Sequence, residues 1–160
     1  MNKLYRIKVV GALKGLTWSS GHYVPDNEKC KNFHGHDYSI DVTIDSEELE
    51  QSGMAIDFTI VKKAIKPVIE GMDHKFMIPE GDIRQNENAN FIDIYVRGKY
   101  RGTMSKTDIF IFPYPADTAE FIAKYCYNEI FTKLLELIKN FRLKVIIHEG
   151  PGNIATYWEK

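Results

Sequence analysis

The sequence predicts an α+β fold, an antiparallel sheet with two helices on one face. Three observations predict it. Several short segments alternate apolar and polar residues, as half-buried strands do. Two longer segments carry apolar residues at helical spacing behind capping signals. Glycine- and proline-containing turns join neighbouring strands closely enough for hairpins, and hairpins build antiparallel sheets. At 160 residues, one domain spanning 1–160 is expected.

The elements follow in order. Residues 3–10 alternate as a first strand, and Gly11 and Gly15 read as bends or bulges. Leu16–His22 is a second extended piece, and Tyr23–Lys31, with Pro25, Asp26 and Asn27, reads as an exposed loop. His36–Asp45 is the cleanest strand: Tyr38, Ile40, Val42 and Ile44 alternate with Ser39, Asp41, Thr43 and Asp45. Glu47–Gly53 is a turn. Asp57 is the expected N-cap of a helix with Ile60, Val61, Ala64, Ile65 and Val68 on one face. Pro67 should kink it or mark its last turn, and Gly71 should be the residue past its end.

Residues 79–90 read as loop. Phe91–Val96 and Ile109–Phe112 read as two short strands of one hairpin across Arg97–Thr107. Asp117-Thr118-Ala119-Glu120 has the pattern of a capping box, with Glu three residues after the cap. It opens the longest helix, with Ile122, Cys126, Ile130, Leu134 and Ile138 as its ridge. Leu143–Ile147 is a buried strand ending in His148-Glu149, and Ile154–Trp158 returns after Gly150–Asn153.

Composition narrows the function classes. With 44% apolar residues, 27% charged and a net charge of −1, nothing argues for a nucleic-acid partner. No stretch approaches a membrane span, and Lys3, Arg6 and Lys8 interrupt any signal-type apolar core. Two cysteines without framework spacing point to a reducing compartment, so a cytoplasmic location is expected.

The chemistry concentrates at Cys30-Lys31-Asn32-Phe33-His34-Gly35-His36. Residues i and i+2 of a strand share a face, so His34 and His36 can present two nitrogens side by side. Gly35 between them leaves both rings free to swing onto one point. His22 at the end of the neighbouring segment makes a third, and three histidines with a fourth position open is a catalytic zinc arrangement. The bland alternative is a set of histidines satisfied at a strand edge. Cys30 can be a fourth ligand, a buried inert thiol or a reactive thiolate. Asp73-His74 is either a solvated turn at a helix end or a carboxylate–imidazole pair that moves protons. Glu149 is either exposed at a turn or a partner for a flat, two-donor edge. Capping alone explains Thr118 and Glu120, and core packing alone explains Cys126.

Taken together, the pieces resemble a known family. Trp18-Ser19-Ser20-Gly21-His22, Cys30 with His34-Gly35-His36, Gly53-Met54-Ala55-Ile56-Asp57-Phe58, Met72-Asp73-His74-Lys75, Asp117-Thr118-Ala119-Glu120 and His148-Glu149 occur in family order through nearly the whole chain. They resemble the 6-pyruvoyltetrahydropterin synthase and 6-carboxytetrahydropterin synthase family, the latter the QueD type of queuosine and archaeosine biosynthesis. The resemblance implies a tunnelling fold, in which trimers close a barrel and two trimers stack into a hexamer with active sites at subunit interfaces. It implies zinc on His22, His34 and His36, Cys30 as the proton-transferring thiolate, and Asp73 and His74 as its relay. Glu149 would anchor the pterin ring, and Thr118 would lie near it. The implied enzyme is a lyase that removes triphosphate from 7,8-dihydroneopterin triphosphate.

The short Cys30-to-His34 spacing resembles the carboxy-forming branch, which yields 6-carboxy-5,6,7,8-tetrahydropterin and acetaldehyde. The pyruvoyl branch is the alternative. A related group carries glutamate three residues before His-Gly-His, where this chain has Lys31. The segment 78–116 is longer than the resemblance implies, and Lys75 is the one cation it offers for a triphosphate. Three rival readings stand beside it: a non-catalytic zinc-binding module with Cys30 as fourth ligand, a hydrolase using metal-bound hydroxide, and an aldolase acting on dihydroneopterin.

Overall fold

The longest strand decides the layering. The computed structural model describes residues 4–159, and Lys3, where the first strand was expected to open, lies outside them. In chain order the elements are β1 (Tyr5–Val9), β2 (Thr17–His22), β3 (His34–Ser46), α1 (Phe58–Met72), β4 (Lys75–Pro79), β5 (Ile83–Gln85), β6 (Phe91–Val96), β7 (Lys99–Ser105), β8 (Ile109–Phe112), α2 (Ala119–Leu135), β9 (Phe141–Glu149) and β10 (Ile154–Trp158). Along β3, Tyr38, Ile40, Val42 and Ile44 are buried in the core, as the alternation predicts. Leu143, Val145 and Ile147 of β9 join them, and α1 and α2 cover that face.

Seven strands form the main sheet in the order β10-β9-β3-β2-β4-β8, with β1 beside the far half of β3. The sheet is mixed, which corrects the antiparallel expectation. β4 runs parallel to β2 and to β8, and the other pairs are antiparallel. β4 was not predicted: it follows α1 directly, so no turn signal marks it. β8 was expected to pair with β6, but it lies beside β4 in the main sheet. The partner of β6 is β7, across Arg97-Gly98, where both residues have positive φ (52° and 75°) as a tight two-residue hairpin requires. Residues 79–90, expected as loop, hold a short 3₁₀ turn and β5. β5, β6 and β7 form a second, three-stranded sheet over their own apolar cluster.

The helix ends carry three further findings. Asp57 caps α1 as predicted, its Oδ1 accepting from the Thr59 amide at 2.6 Å. α1 runs through Pro67 and Gly71 to Met72, so neither ends it. Pro67 is exposed, where water can satisfy the carbonyl that lost its N–H partner. The reversal falls later, at His74, which adopts φ 57° and donates its amide to Ser19 O at 2.8 Å. The capping box before α2 does not form: Thr118 occupies the cap position without a side-chain bond, and Asp117 turns inward, fully buried. Among the described residues no helix is long and apolar enough to cross a membrane.

Candidate metal centre and its cavity

β2 and β3 place the three histidines. In their antiparallel register His22 faces His34 and Ser20 faces His36. The ring centroids stand 4.5 Å (His22–His34), 5.1 Å (His22–His36) and 5.0 Å (His34–His36) apart. One nitrogen from each lies within 4.8 Å of the others. Gly35 meets a constraint that the sequence does not show. It faces Gly21 across the ladder, and a Cβ on it would sit 3.1 Å from Ser20 O. Its lack of a side chain lets the two strands approach.

Backbone carbonyls fix the tautomers. His22 Nδ1 lies 3.0 Å from Asp117 O, and His34 Nδ1 lies 2.8 Å from Asn32 O. A carbonyl can only accept, so each Nδ1 carries the proton and each Nε2 keeps its lone pair. Both Nε2 atoms are buried without any hydrogen-bond partner. Unpartnered buried acceptors are costly, and here they converge with each Nδ1 tethered from behind, as metal-binding histidines are. The residues therefore fit a three-histidine metal site. Burial is the main force holding the His22 pKa below its ordinary value, so the neutral, ligating form is favoured.

Cys30 stands outside this set. Among the described residues, only the three histidines form a group whose ligand atoms lie that close together. The thiol instead lines a cavity of about 340 Å³ together with His22, His36, Thr118 and Glu149. Asn27 shapes its loop: the side-chain oxygen accepts from the amides of Lys29 and Cys30, each at 3.0 Å. Glu149 ends β9 and accepts from Tyr38 Oη at 3.1 Å, with its Oε1 3.7 Å from His22 Nε2. Burial first, and Glu149 second, push the Tyr38 phenol above its ordinary pKa, so it remains a donor. Burial raises the Asp117 carboxyl to about 7.

A family model described as 6-pyruvoyl tetrahydropterin synthase matches residues 14–160. The chain belongs to that family. It is accordingly an enzyme of the tetrahydropterin synthase group. It is similar to a 6-carboxy-5,6,7,8-tetrahydropterin synthase of Aquifex aeolicus, with 35% identity over 136 residues, 82% of this chain and 77% of that one. It is likewise similar to one of Haemophilus influenzae, with 32% identity over 152 residues, 91% of this chain and 96% of the other. The crystal structure of 6-pyruvoyl tetrahydropterin synthase from Plasmodium vivax superposes with a TM-score of 0.86 over 99% of both chains, at 21% identity. That likeness is one of fold.

Seen as a tetrahydropterin synthase, the chain does not gather every predicted site residue in one place. Asp73 and His74 line a different cavity, of about 610 Å³, with Trp18, Asp37 and His148. His74 also lines a third, with His34, His36 and Lys75. Asp73 Oδ1 accepts from the Ser19 amide at 2.9 Å and from His74 Nδ1 at 2.9 Å. The Ser19 bond first, and His74 next, hold its pKa below the usual carboxylate range. The pair thus pins the α1–β4 turn to β2 and leaves the His74 ring exposed. Thr118, read in the sequence as a cap, makes no capping bond and faces the Cys30 cavity. Sequence reasoning missed Asp117 and Asn32, which tether the histidines through their carbonyls, and Tyr38 and Asn27, which hold Glu149 and Cys30. Only Asn27, two and three residues before the amides it binds, carries a local signal.

Proposed function

We propose that this chain is a zinc-dependent lyase that converts 7,8-dihydroneopterin triphosphate to 6-carboxy-5,6,7,8-tetrahydropterin and acetaldehyde, with loss of triphosphate. One observation carries the reading: three histidines converge with two bare, buried Nε2 atoms, and two of the three, His22 and His36, line one cavity with a thiol and a carboxylate outside the ligand set. The names of the Aquifex and Haemophilus relatives support the carboxy product.

His22, His34 and His36 would hold the ion, which when bound supplies a Lewis acid next to the hydroxylated side chain. Glu149 offers two carboxylate oxygens to the paired N–H donors of a pterin edge. Thr118 adds a hydroxyl beside it. Cys30, as thiolate, takes the proton from the side-chain carbon and returns one as triphosphate leaves. In the carboxy-forming reaction the bond between the first and second side-chain carbons then breaks, water supplying the second carboxyl oxygen. A free thiol with this role suits a reducing cytoplasm, and both cysteines are free.

Asp73 and His74 would serve Cys30 from a neighbouring subunit. Within one chain they lie in other cavities, and β10 and β8 end the main sheet with open edges suited to pairing between copies. A trimeric barrel, or a hexamer of two, would bring them together. Lys75, beside His74 in its cavity, is the cation offered to the triphosphate.

The test is incubation of zinc-loaded protein with dihydroneopterin triphosphate, with products separated by mass. A 6-carboxy product with acetaldehyde is expected. A 6-pyruvoyl product retaining three side-chain carbons would move the chain to the other branch. No triphosphate release from protein that still holds zinc would leave a non-catalytic binding module.

A further inference from the structure

The three-stranded sheet at residues 83–105 grips the loop that carries Cys30, and nothing in the chemistry above uses that grip. We propose that this small sheet is a clamp that positions Cys30, with Arg101 and Asp82 as positioning residues acting through the loop. The inference rests on the reading of Cys30 as the proton-transferring thiol.

The loop spans residues 23–33, between the strands that bear His22 and His34. Its own bonds give it shape: the Asn27 side chain binds the Cys30 amide, and Val24 N–H donates to Cys30 O at 2.7 Å. At its end the Asn32 carbonyl meets His34 Nδ1 at 2.8 Å, but these bonds do not tie the Cys30 turn itself to the rest of the fold. The small sheet does, at both ends. At the start, Tyr23 is 1% exposed, packed in the cluster of Ile78, Ile92, Ile94 and Ile109. Its Oη donates to Asp82 Oδ2 at 2.6 Å, in the turn before β5. In the middle, Asp26 pairs with Arg97 at the β6–β7 turn.

At the far end Arg101 on β7 does two things at once. Its Nη2 donates to Lys31 O at 3.3 Å, and its guanidinium lies 5.5 Å from the centroid of the Phe33 ring. Phe33 in turn meets Tyr23 (5.2 Å) and Phe76 (5.8 Å) edge to face. Lys31 and Phe33 are two of the three residues between Cys30 and His34, so holding them sets the thiol's offset from the metal site. The Asp26–Arg97 pair is exposed on both sides and contributes little. The positioning therefore falls to Tyr23–Asp82 and to Arg101.

The experiment uses the zinc-loaded full chain as Arg101→Ala/Asp82→Ala, with Arg101→Lys beside it. Five quantities are read: zinc content, melting temperature, kcat and KM on dihydroneopterin triphosphate, and the rate of Cys30 alkylation by iodoacetamide. Cys126 does not compete in the last, being fully buried with its thiol pKa pushed up. The double variant should keep its zinc and hold KM within about twofold. Its kcat should fall about tenfold or more, since misplacement by about 1 Å can cost a hundredfold, and its Cys30 should alkylate faster. Arg101→Lys keeps a donor and a cation and should recover most of the loss. Were the double variant not to fold, Arg101→Ala alone carries the same readouts. A folded, zinc-loaded variant with wild-type kcat and wild-type alkylation overturns the clamp. Cys30→Ala with undiminished turnover would instead overturn the thiolate reading, and the alkylation rates would still decide the clamp.

Discussion

Replacing Gly35 with alanine puts a methyl group against the backbone of β2. The new Cβ would lie 3.1 Å from Ser20 O, 3.7 Å from Ser20 C and 3.8 Å from Gly21 Cα. The nearest of these is too tight by a few tenths of an ångström. Whether the strand can give decides the sign of the effect, and here it cannot give cheaply. At Ser20 and Gly21, β2 is paired on both sides, to β3 and to β4. Ser20 is also tied through its Oγ to Met72 O at 2.6 Å.

Two terms oppose each other. Removing a strand glycine recovers about 0.5–1 kcal/mol of backbone entropy. Overpacking against a fixed neighbour costs about 1–3 kcal/mol. The net loss is about 1 kcal/mol, or about 2–4 °C in melting temperature for a chain of this size. The same displacement moves His34 and His36 relative to His22, against a tolerance of about 0.2 Å in metal–ligand distance. Zinc affinity should fall about tenfold. Thermal melts of the metal-free protein and a chelator competition read the two quantities separately. An alanine variant at least as stable as the parent, with unchanged zinc affinity, would refute the close-approach account of Gly35.

Cys30→Ala should abolish triphosphate release by about 10²–10⁴-fold, the usual worth of a positioned acid–base group, while metal analysis finds zinc undiminished. His34→Ala should weaken zinc by more than about 100-fold, beyond what an orienting partner contributes, as followed by the same competition. Asp41 sets an acid limit on stability: burial alone would raise its pKa, but Lys8 at 2.8 Å, the Gly11 amide at 3.0 Å and His148 outweigh it, and the pKa is lowered. Its contribution is therefore present above the unfolded carboxylate value of about 3.9 and lost as pH falls through the lower folded value. Melts from pH 6 to pH 2 should show the gap between parent and Asp41→Asn closing at the acid end, whereas a gap constant with pH would contradict the charge account. Mixing inactive Cys30→Ala and His74→Ala subunits should restore part of the activity if one site draws on two subunits, and no recovery in mixed oligomers would argue that each chain is self-sufficient.

What the sequence disclosed depended on how local each cause was. The His-x-His pair and the alternation from Tyr38 to Ile44 were legible because strand parity is a local property with period two. The Asp57 cap was legible for the same reason. β4 was not, since Phe76-Met77-Ile78 follows a helix without a turn signal and its parallel partners are far away in sequence. β7 reads Lys-Tyr-Arg-Gly-Thr-Met-Ser, with no alternation, and enters through Arg-Gly rather than one of the strongest hairpin pairs. The capping pattern at Asp117 misled because burial beside His22 and Tyr23 claimed a side chain that local preference would have left at the helix end. The separation of Asp73 and His74 from Cys30 is a property of the folded chain that no local pattern carries.

The role of Cys30 turns on what it does not join. A structural zinc site closes with four protein ligands, whereas a catalytic one keeps a position open. Were Cys30 the fourth ligand, its sulfur would stand with the three nitrogens. Instead the close group is three histidines. The thiol lies on the wall of a cavity whose lining also includes Glu149 and Thr118, and an asparagine side chain uses its acceptor to hold the loop backbone there. A bystander thiol would need none of this, and Cys126, fully buried in the core under α2, shows what one looks like in the same chain. The two cysteines thus separate by environment: one packed in the core, the other on the wall of a cavity that His22 and His36 also line.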